Sequence, residues 1–346
     1  MKFKKIITMM LTGVMLVGAT SLMGCSSEKK KDLDKITMVW YPNESGGDLE
    51  EARQEVGKII EDATGLEVEH KLTTDYSVAI ESISNGTAQI AFMGPQGYVE
   101  AHNKNEKILP LVVSSGESGT LDDAVYYSWL SVLEENAKNY IDGDEYSIDN
   151  IVGKKMSFVS NSSTSGFKVP TSGIVKYFSD KGEYKDLTAE DLMEGGSDKF
   201  FSEVLYGGSH QGSMVNLISG NADVAAFCDT VAINYVEAID GEFNKLGTTY
   251  AIKDNAEDPF TEYSGKKFTA ISVTPVLNSP FAANTEVLDK DIIDKIIEAF
   301  EDDKVTNNEK IFVPEDSEES GFFKKKGEER FLRVKDEWFN PVRELS

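Results

Sequence analysis

Cysteine and histidine are scarce in this 346-residue chain: there are two cysteines, Cys25 and Cys228, three histidines, and no Cys-x-x-Cys pair. That excludes a disulfide framework and leaves no zinc-ligand spacing, so neither a covalent staple nor a metal is expected, and no cofactor is implied. Positive charge is also short. Lys and Arg number 35 against 60 Asp and Glu, a net charge of -25, so no basic stripe can follow a phosphate backbone and nucleic acid is excluded as a partner. Beyond residue 24 there is no run of about 18 apolar residues, which excludes a helical membrane span in the body. No internal repeat is visible. What is there, 40% apolar and 27% charged residues, suffices for two cores of roughly 100 to 200 residues each.

The chain opens on the basic run MKFKK and continues through the apolar IITMMLTGVMLVGATSLM to Gly24-Cys25, the pattern of an export signal. Leu22-Met23-Gly24-Cys25 resembles a bacterial lipobox, which makes residues 1–24 a lipoprotein signal peptide and Cys25 the acylated, palmitate-bearing N-terminus of the mature chain. A lone transmembrane anchor is the competing reading, but it gives no reason for a cysteine at that point. Residues 25–35, polar and without apolar period, read as a tether of about 17 Å reach. They would hold the body close to the extracytoplasmic face of the cell membrane.

Ile36–Tyr41 is β-rich, and Leu49, Ala52, Val56, Ile59, Ile60 and Ala63 then recur at helical spacing up to Gly65. A strand Leu66–Leu72, a helix Ser77–Asn85 and a strand Gln89–Met93 follow. This β-α-β-α-β order argues for a mostly parallel sheet, with ligands beyond the carboxyl ends of the strands at Tyr41, Asp75-Tyr76 and Gly94-Pro95. A second α/β set comprises strands at Met156–Val159, Glu203–Tyr206 and Ala222–Phe227 with helices at Gly166–Ser179 and Gln211–Ser219. The turn-rich Ser114–Asp123 connects the two, and the β-rich Phe268–Thr274 returns the chain. The implied division is one lobe of residues 36–115 and 275–346 and another of 124–268, joined by two crossings. Helices are expected at Asp289–Asp303 and Glu328–Trp338, and solvated surface at Glu134–Tyr146 and Glu315–Glu319.

The segment Ser160-Asn161-Ser162-Ser163-Thr164-Ser165-Gly166 lies between a strand and a helix, where the first backbone N–H groups of the helix are unpaired. A helix start holds an anion without any cation. Its consecutive hydroxyls supply more donors than one cap needs, and Gly166 admits close backbone approach. An ordinary capped helix is the alternative. Ser209 and His210 open the next helix, where the ring offers a second donor. Asp229 follows the strand Ala222–Phe227 and points at the same sheet edge as an acceptor for a proton or an ammonium. His70 and His102 read as structural.

SSTSGFKVP at 162–170, GGSHQGSMVNLISGNADVAAF at 207–227, DYSVAIESISNGTAQIAFMGPQGYVEA at 75–101 and SPFAANTEV at 279–287 together resemble the phosphate, phosphite and phosphonate substrate-binding lipoproteins of ABC importers, the PhnD-like family. The resemblance runs in order over nearly the whole mature chain. It implies an α/β, two-lobed type 2 periplasmic-binding-protein fold with a two-strand hinge. It also implies that Ser163, Thr164 and Ser165 bind the phosphoryl oxygens, that His210 adds a donor, and that Tyr76 closes over the ligand with Tyr41 and Tyr98 in the wall. The partners implied are a small phosphorus oxyanion and an ABC permease, and a monomer is expected. The region of Asn278 and Ser279 offers no carboxylate for a ligand amine, which leaves the organic substituent open and favours the proton-acceptor role of Asp229.

The acidic net charge does not argue against an anionic ligand, because the Debye length of about 8 Å at physiological salt screens distant carboxylates. Ser165, His210 and Asp229 can be recited as a hydrolytic triad, but there is no GxSxG elbow and no buried carboxylate is expected behind the histidine; the chain reads as no enzyme. A ligand sensor or surface interaction protein of the same fold stays open as the alternative. Cys25→Ser is expected to leave the precursor uncleaved and free of acyl chains. Metabolic labelling with a fatty acid checks this, and equal label in the variant would refute the lipoprotein reading.

Overall fold

The computed structural model describes residues 33–345; the expected signal peptide, Cys25 and the expected tether up to residue 32 lie outside the described residues. In the amino-terminal part, β1 (Lys35–Trp40), β2 (Glu67–Leu72), β3 (Ile90–Phe92) and β4 (Ile108–Ser114) alternate with α1 (Glu50–Thr64), α2 (Tyr76–Ser84) and α3 (Pro95–Lys104). The first strand begins at Lys35, one residue before the expected Ile36. α1 buries Ala52, Val56 and Ile60 on one stripe and stops at Gly65, whose φ of 73° places it in the left-handed region while its N–H closes on Glu61 O at 2.8 Å. α2 starts because the Asp75 carboxylate accepts from the Ser77 N–H at 2.7 Å.

The chain then crosses to β5 (Val125–Leu133), a one-turn α4 (Glu134–Ala137) and a hairpin, β6 (Ile141–Asp142) with β7 (Glu145–Tyr146). The expected solvated insertion is thus partly folded in, with Ala137 and Tyr140 buried. Next come β8 (Lys155–Phe158), α5 (Val169–Phe178), β9 (Glu203–Tyr206), α6 (His210–Ile218), β10 (Val224–Cys228), a one-turn α7 (Asp229–Ala232), β11 (Val236–Asp240), β12 (Thr249–Ile252) and β13 (Lys267–Leu277). β14 (Pro280–Asn284), α8 (Lys290–Phe300), β15 (Phe312–Pro314), β16 (Phe323–Lys325) and β17 (Phe331–Arg333) complete the chain. β13 pairs with β5 as far as Leu277, so the return to the first sheet comes at Asn278 and Ser279, a little past 275.

Two mixed sheets result, ordered β17-β4-β14-β3-β1-β2 and β11-β12-β13-β5-β10-β8-β9. β1, β2 and β3 are parallel, with Trp40 level with Leu72 and Phe92, and β8, β9 and β10 are parallel in the other sheet. β14 enters antiparallel between β3 and β4 and β17 is antiparallel to β4, so the expected mostly parallel sheet is corrected to a mixed one in which only β1, β2 and β3 pair in parallel. The carboxy-terminal helix expected at Glu328–Trp338 is also corrected: Phe331–Arg333 forms the edge strand β17, antiparallel to β4, because ladder bonds and the burial of Phe331 outweigh local helical preference. Helical turns appear only at Asp336–Phe339 and Asn340–Arg343.

Each sheet carries apolar packing on both faces. In the first, Ile36, Met38 and Trp40 face α1 and α8, while Val39 and Tyr41 face α2 and α3. Phe281 of β14 lies at its centre, with ring centroids 4.8 Å from both Phe92 and Phe300. Phe281→Ala is expected to cost about 3 to 5 kcal/mol, the range for deleting a fully buried ring, and urea unfolding of the two proteins checks it.

Candidate functional site

Parallel pairing carries the ends of β1, β2 and β3 to one edge as Tyr41, Thr73 and Met93, and the ends of β8, β9 and β10 to another as Val159, Gly207 and Asp229. Loops from both edges wall a cavity of about 450 Å³. Tyr41, Tyr76, Ser163, Thr164, Ser165, His210 and Asp229 all line it. Tyr98 does not, and its expected place in the wall is corrected: its hydroxyl donates to Asp336 Oδ1 at 2.6 Å and its ring packs on Phe339.

The serine-rich loop divides its labour. The Ser163 hydroxyl accepts from the Gly166 N–H at 3.1 Å, as a helix cap does. Residues Thr164–Lys168 wind as a π-helical turn, with the Lys168 N–H on Ser163 O at 2.9 Å, before α5 begins. Thr164 Oγ1 accepts from the Gln96 N–H at 2.9 Å, so this hydroxyl reaches across to the first turn of α3. Ser165 Oγ is buried and without a hydrogen-bond partner. Gly166 serves packing rather than an approaching anion, since a Cβ there would stand 2.2 Å from Val159 Cγ2. The capped-helix alternative therefore holds for Ser163 and Gly166 and not for Ser165.

His210 is buried at the start of α6, which Ser209 caps by accepting from the Gly212 N–H. The Cys228 N–H donates to His210 Nδ1 at 3.1 Å, so Nδ1 carries no proton and Nε2–H is the free donor. Burial pushes the ring's pKa down to about 3, which makes His210 a neutral donor. Tyr41 stacks on Tyr76 at 4.1 Å, and its buried hydroxyl has no partner. A Cβ on Gly97 would stand 1.8 Å from that hydroxyl, so only glycine admits it. Tyr126, which was not singled out in the sequence, also lines the cavity, beside Thr164 and Ser165.

Asp229 is buried and heavily supported. Its Oδ1 accepts from the Tyr127 and Thr230 N–H groups and its Oδ2 from Asn244 Nδ2, each at 2.8 Å. Burial pushes its pKa up to about 6, against those stabilising hydrogen bonds. It makes no contact with His210, whose Nδ1 faces the Cys228 amide, so the triad needed for hydrolysis is not assembled.

Asn43 and Glu44 are the members that the sequence reading missed. Asn43 exchanges hydrogen bonds with the Tyr76 hydroxyl at 2.7 and 3.0 Å. It also accepts from the His210 N–H at 3.1 Å, which links the end of β1 to the start of α6. Glu44 lines the cavity with Oε2 buried and unpartnered. Both follow directly on the carboxyl end of β1, the place where an α/β sheet puts its ligand, and that rule would have found them. Three lysines also line the cavity: Lys324 donates to the carbonyls of Ser317 and Glu319, Lys326 pairs with Glu315, and Lys245 is exposed. Among the described residues no group of His, Cys, Asp and Glu is arranged to hold a metal ion, and no helix is long and apolar enough to cross a membrane. His70, accepting from Trp40 Nε1 at 3.0 Å, and His102, on Ile108 O at 2.8 Å, belong to the scaffold.

The model of a family described as ABC transporter, phosphonate, periplasmic substrate-binding protein matches residues 38–339. A curated relative, the phosphate-import protein PhnD of Mycolicibacterium smegmatis, is 27% identical over 201 residues, 57% of this chain and 56% of that protein. The match thus spans little more than half of that relative's length. The fold is similar to that of a binding-protein component of an ABC phosphonate transporter from Pseudomonas aeruginosa, with a TM-score of 0.61 at 16% identity over 91% of this chain and 86% of the other. It is equally similar to a PhnD protein of Prochlorococcus marinus solved with methylphosphonate, with a TM-score of 0.61 at 14% identity over 90% and 97%.

The two roles within the serine loop predict opposite stability effects in the unliganded protein. Ser163→Ala is expected to cost about 1 kcal/mol through loss of the cap. Ser165→Ala is expected to cost nothing or to stabilise slightly, because an unpaired buried hydroxyl is removed. Chemical denaturation of the two variants beside wild type checks the contrast.

Proposed function

This chain belongs to the family of periplasmic substrate-binding proteins of phosphonate ABC transporters, and from that premise we propose that it captures a phosphonate or related phosphorus oxyanion outside the cytoplasm and delivers it to the permease of an importer. The observation that carries this is the convergence on one cavity of neutral donors with nothing to donate to. They are the buried Ser165 and Tyr41 hydroxyls and the Nε2–H of His210. A tetrahedral oxyanion supplies acceptors for all three. Thr164 joins them, since its oxygen accepts from the Gln96 N–H and its own O–H is left to donate, and Tyr76 closes the site from the opposite side. A cavity of about 450 Å³, walled in part by Leu49, Phe92 and Phe322, leaves room beside the phosphoryl group for an organic substituent. Asp229, already held by three N–H donors, is assigned to that substituent.

The division proposed is a lobe of residues 36–115 and 275–346 and a lobe of 124–268, which close on the ligand about the two crossings. Donors without formal charge suit such a cycle, because an anion held by hydrogen bonds alone is released when opening readmits water. The lipobox-like sequence supports a chain tethered through acylated Cys25 to the outer face of the cell membrane, with residues 1–24 removed, and the chain is proposed to act as a monomer.

A thermal-shift panel of phosphate, phosphite, methylphosphonate, aminoethylphosphonate and sulfate tests the function. A ligand that binds only the folded state stabilises it by RT ln(1 + [L]/Kd), so at least one phosphorus oxyanion is expected to raise the melting temperature well above sulfate. Thr164→Ala with Ser165→Ala is expected to weaken that ligand by roughly 2 to 5 kcal/mol, since each lost donor leaves an ionised oxygen under-paired in a closed site. Unchanged calorimetric affinity would reduce the loop to a helix cap.

A further inference from the structure

Glu44 is the least supported polar group of the cavity wall. Its Oε1 accepts from Asn43 Nδ2 at a long 3.4 Å, its own backbone N–H and the Arg53 charge also act on the carboxylate, and its Oε2 is buried with no partner. Arg53, the nearest cation, spends its guanidinium on main-chain carbonyls: Nη1 donates to Glu44 O and to Gly46 O, not to the carboxylate. The other groups that face Glu44 bring no positive charge. Tyr41 at the end of β1, Tyr76 at the start of α2 and Cys228 at the end of β10 are all pushed up by burial and by the Glu44 charge itself. Glu50 and Asp48, like Glu44 itself, act on the Arg53 charge.

An ionised carboxylate in such a place is costly, and one beside a bound anion more so. A protonated carboxyl carries no charge and presents an O–H where an acceptor is to arrive. We propose that Glu44 contacts the ligand as a carboxylic acid, its O–H donating to a phosphoryl oxygen beside the donors from Ser165, Tyr41 and His210. The contrast with Asp229 supports the choice of residue. Asp229 has three N–H donors on its carboxylate and has no need of a proton, whereas Glu44 has none of comparable geometry. Burial holds the Glu44 carboxyl up at about 8, so the acid form prevails at neutral pH.

The inference rests on the function proposed above and deepens it: the site takes up a proton-dependent anion, and its affinity is set by the state of Glu44. A phosphoryl group has a second pKa near 6, and the methyl ester of methylphosphonate has no second proton at all. Titrating wild type with each by calorimetry between about pH 7 and 9.5 therefore separates the protein's titration from the ligand's. With the ester, affinity is expected to hold to about pH 8 and then to fall toward tenfold per pH unit as free Glu44 ionises. Glu44→Gln, whose amide N–H can take the place of the O–H, is expected to bind within a few-fold of wild type at pH 7 and to change less than twofold up to pH 9.5. Glu44→Ala should lose tenfold or more.

Thermal unfolding without ligand gives an independent readout. A carboxyl raised on folding from 4.5 to about 8 binds its proton more tightly in the folded state, so its contribution falls as pH rises from 4.5 to about 8 and is level above. Glu44→Gln should remove that decline and match wild type below pH 4.5. A wild type whose affinity is flat to pH 9.5, or a Glu44→Gln variant that keeps the wild-type slope, overturns the inference and leaves the function standing. Failure of every phosphorus oxyanion to bind wild type at pH 7 sinks the function, and the inference with it.

Discussion

The constraint on which the rest depends is the parallel pairing of two strand triplets, β1, β2, β3 and β8, β9, β10. Parallel strands end together, so the loops that leave them emerge along one edge, and each loop opens a helix whose first amides need partners. Two such edges meeting across a cavity concentrate hydroxyls, amides and ring nitrogens in a space from which water is largely removed. The remaining strands, including β14 and β17 that run the other way, complete the sheets and bury Phe281 and Phe331 without contributing to that edge.

The donors proposed for the ligand carry no formal charge, although three lysines and several carboxylates stand elsewhere on the cavity wall. His210 is neutral because burial lowers its pKa and because Nδ1 already accepts from the Cys228 amide. The tyrosines are neutral because burial raises theirs. A chain of net charge -25 thus offers an anion contacts that distant carboxylates barely oppose once salt screens them. Desolvated hydrogen bonds decide the affinity, which also ties the site to exclusion of water and so to closure.

The halves are held by few and specific bonds. Thr164 meets the Gln96 amide, Asn43 receives the His210 amide, Gln211 donates to Asn43 O at 2.9 Å and the Tyr235 hydroxyl donates to Asp48 at 2.6 Å. One of these groups, the Thr164 hydroxyl, is also among those proposed for the ligand.

The order of strands and helices was legible in the residues because apolar period and capping chemistry are local: Gly65, Asp75 and Ser209 end or start helices through contacts within four residues. So was the loop Ser163–Ser165, as a strand-to-helix turn with too many hydroxyls for one cap. The direction of β14, the strand at Phe331–Arg333 and the true end of β13 were not legible, because pairing with a distant strand outweighs local preference. Nor could the sequence separate Ser163, which caps, from Ser165, which is left free, or place Tyr98 against Asp336. Sequence alone determined which chemical groups reach the sheet edge. Only the tertiary structure decided which of them find partners in the protein and which remain for a ligand, because that depends on atoms brought together from separate segments of the chain, 18 residues apart for His210 and Cys228 and 238 for Tyr98 and Asp336.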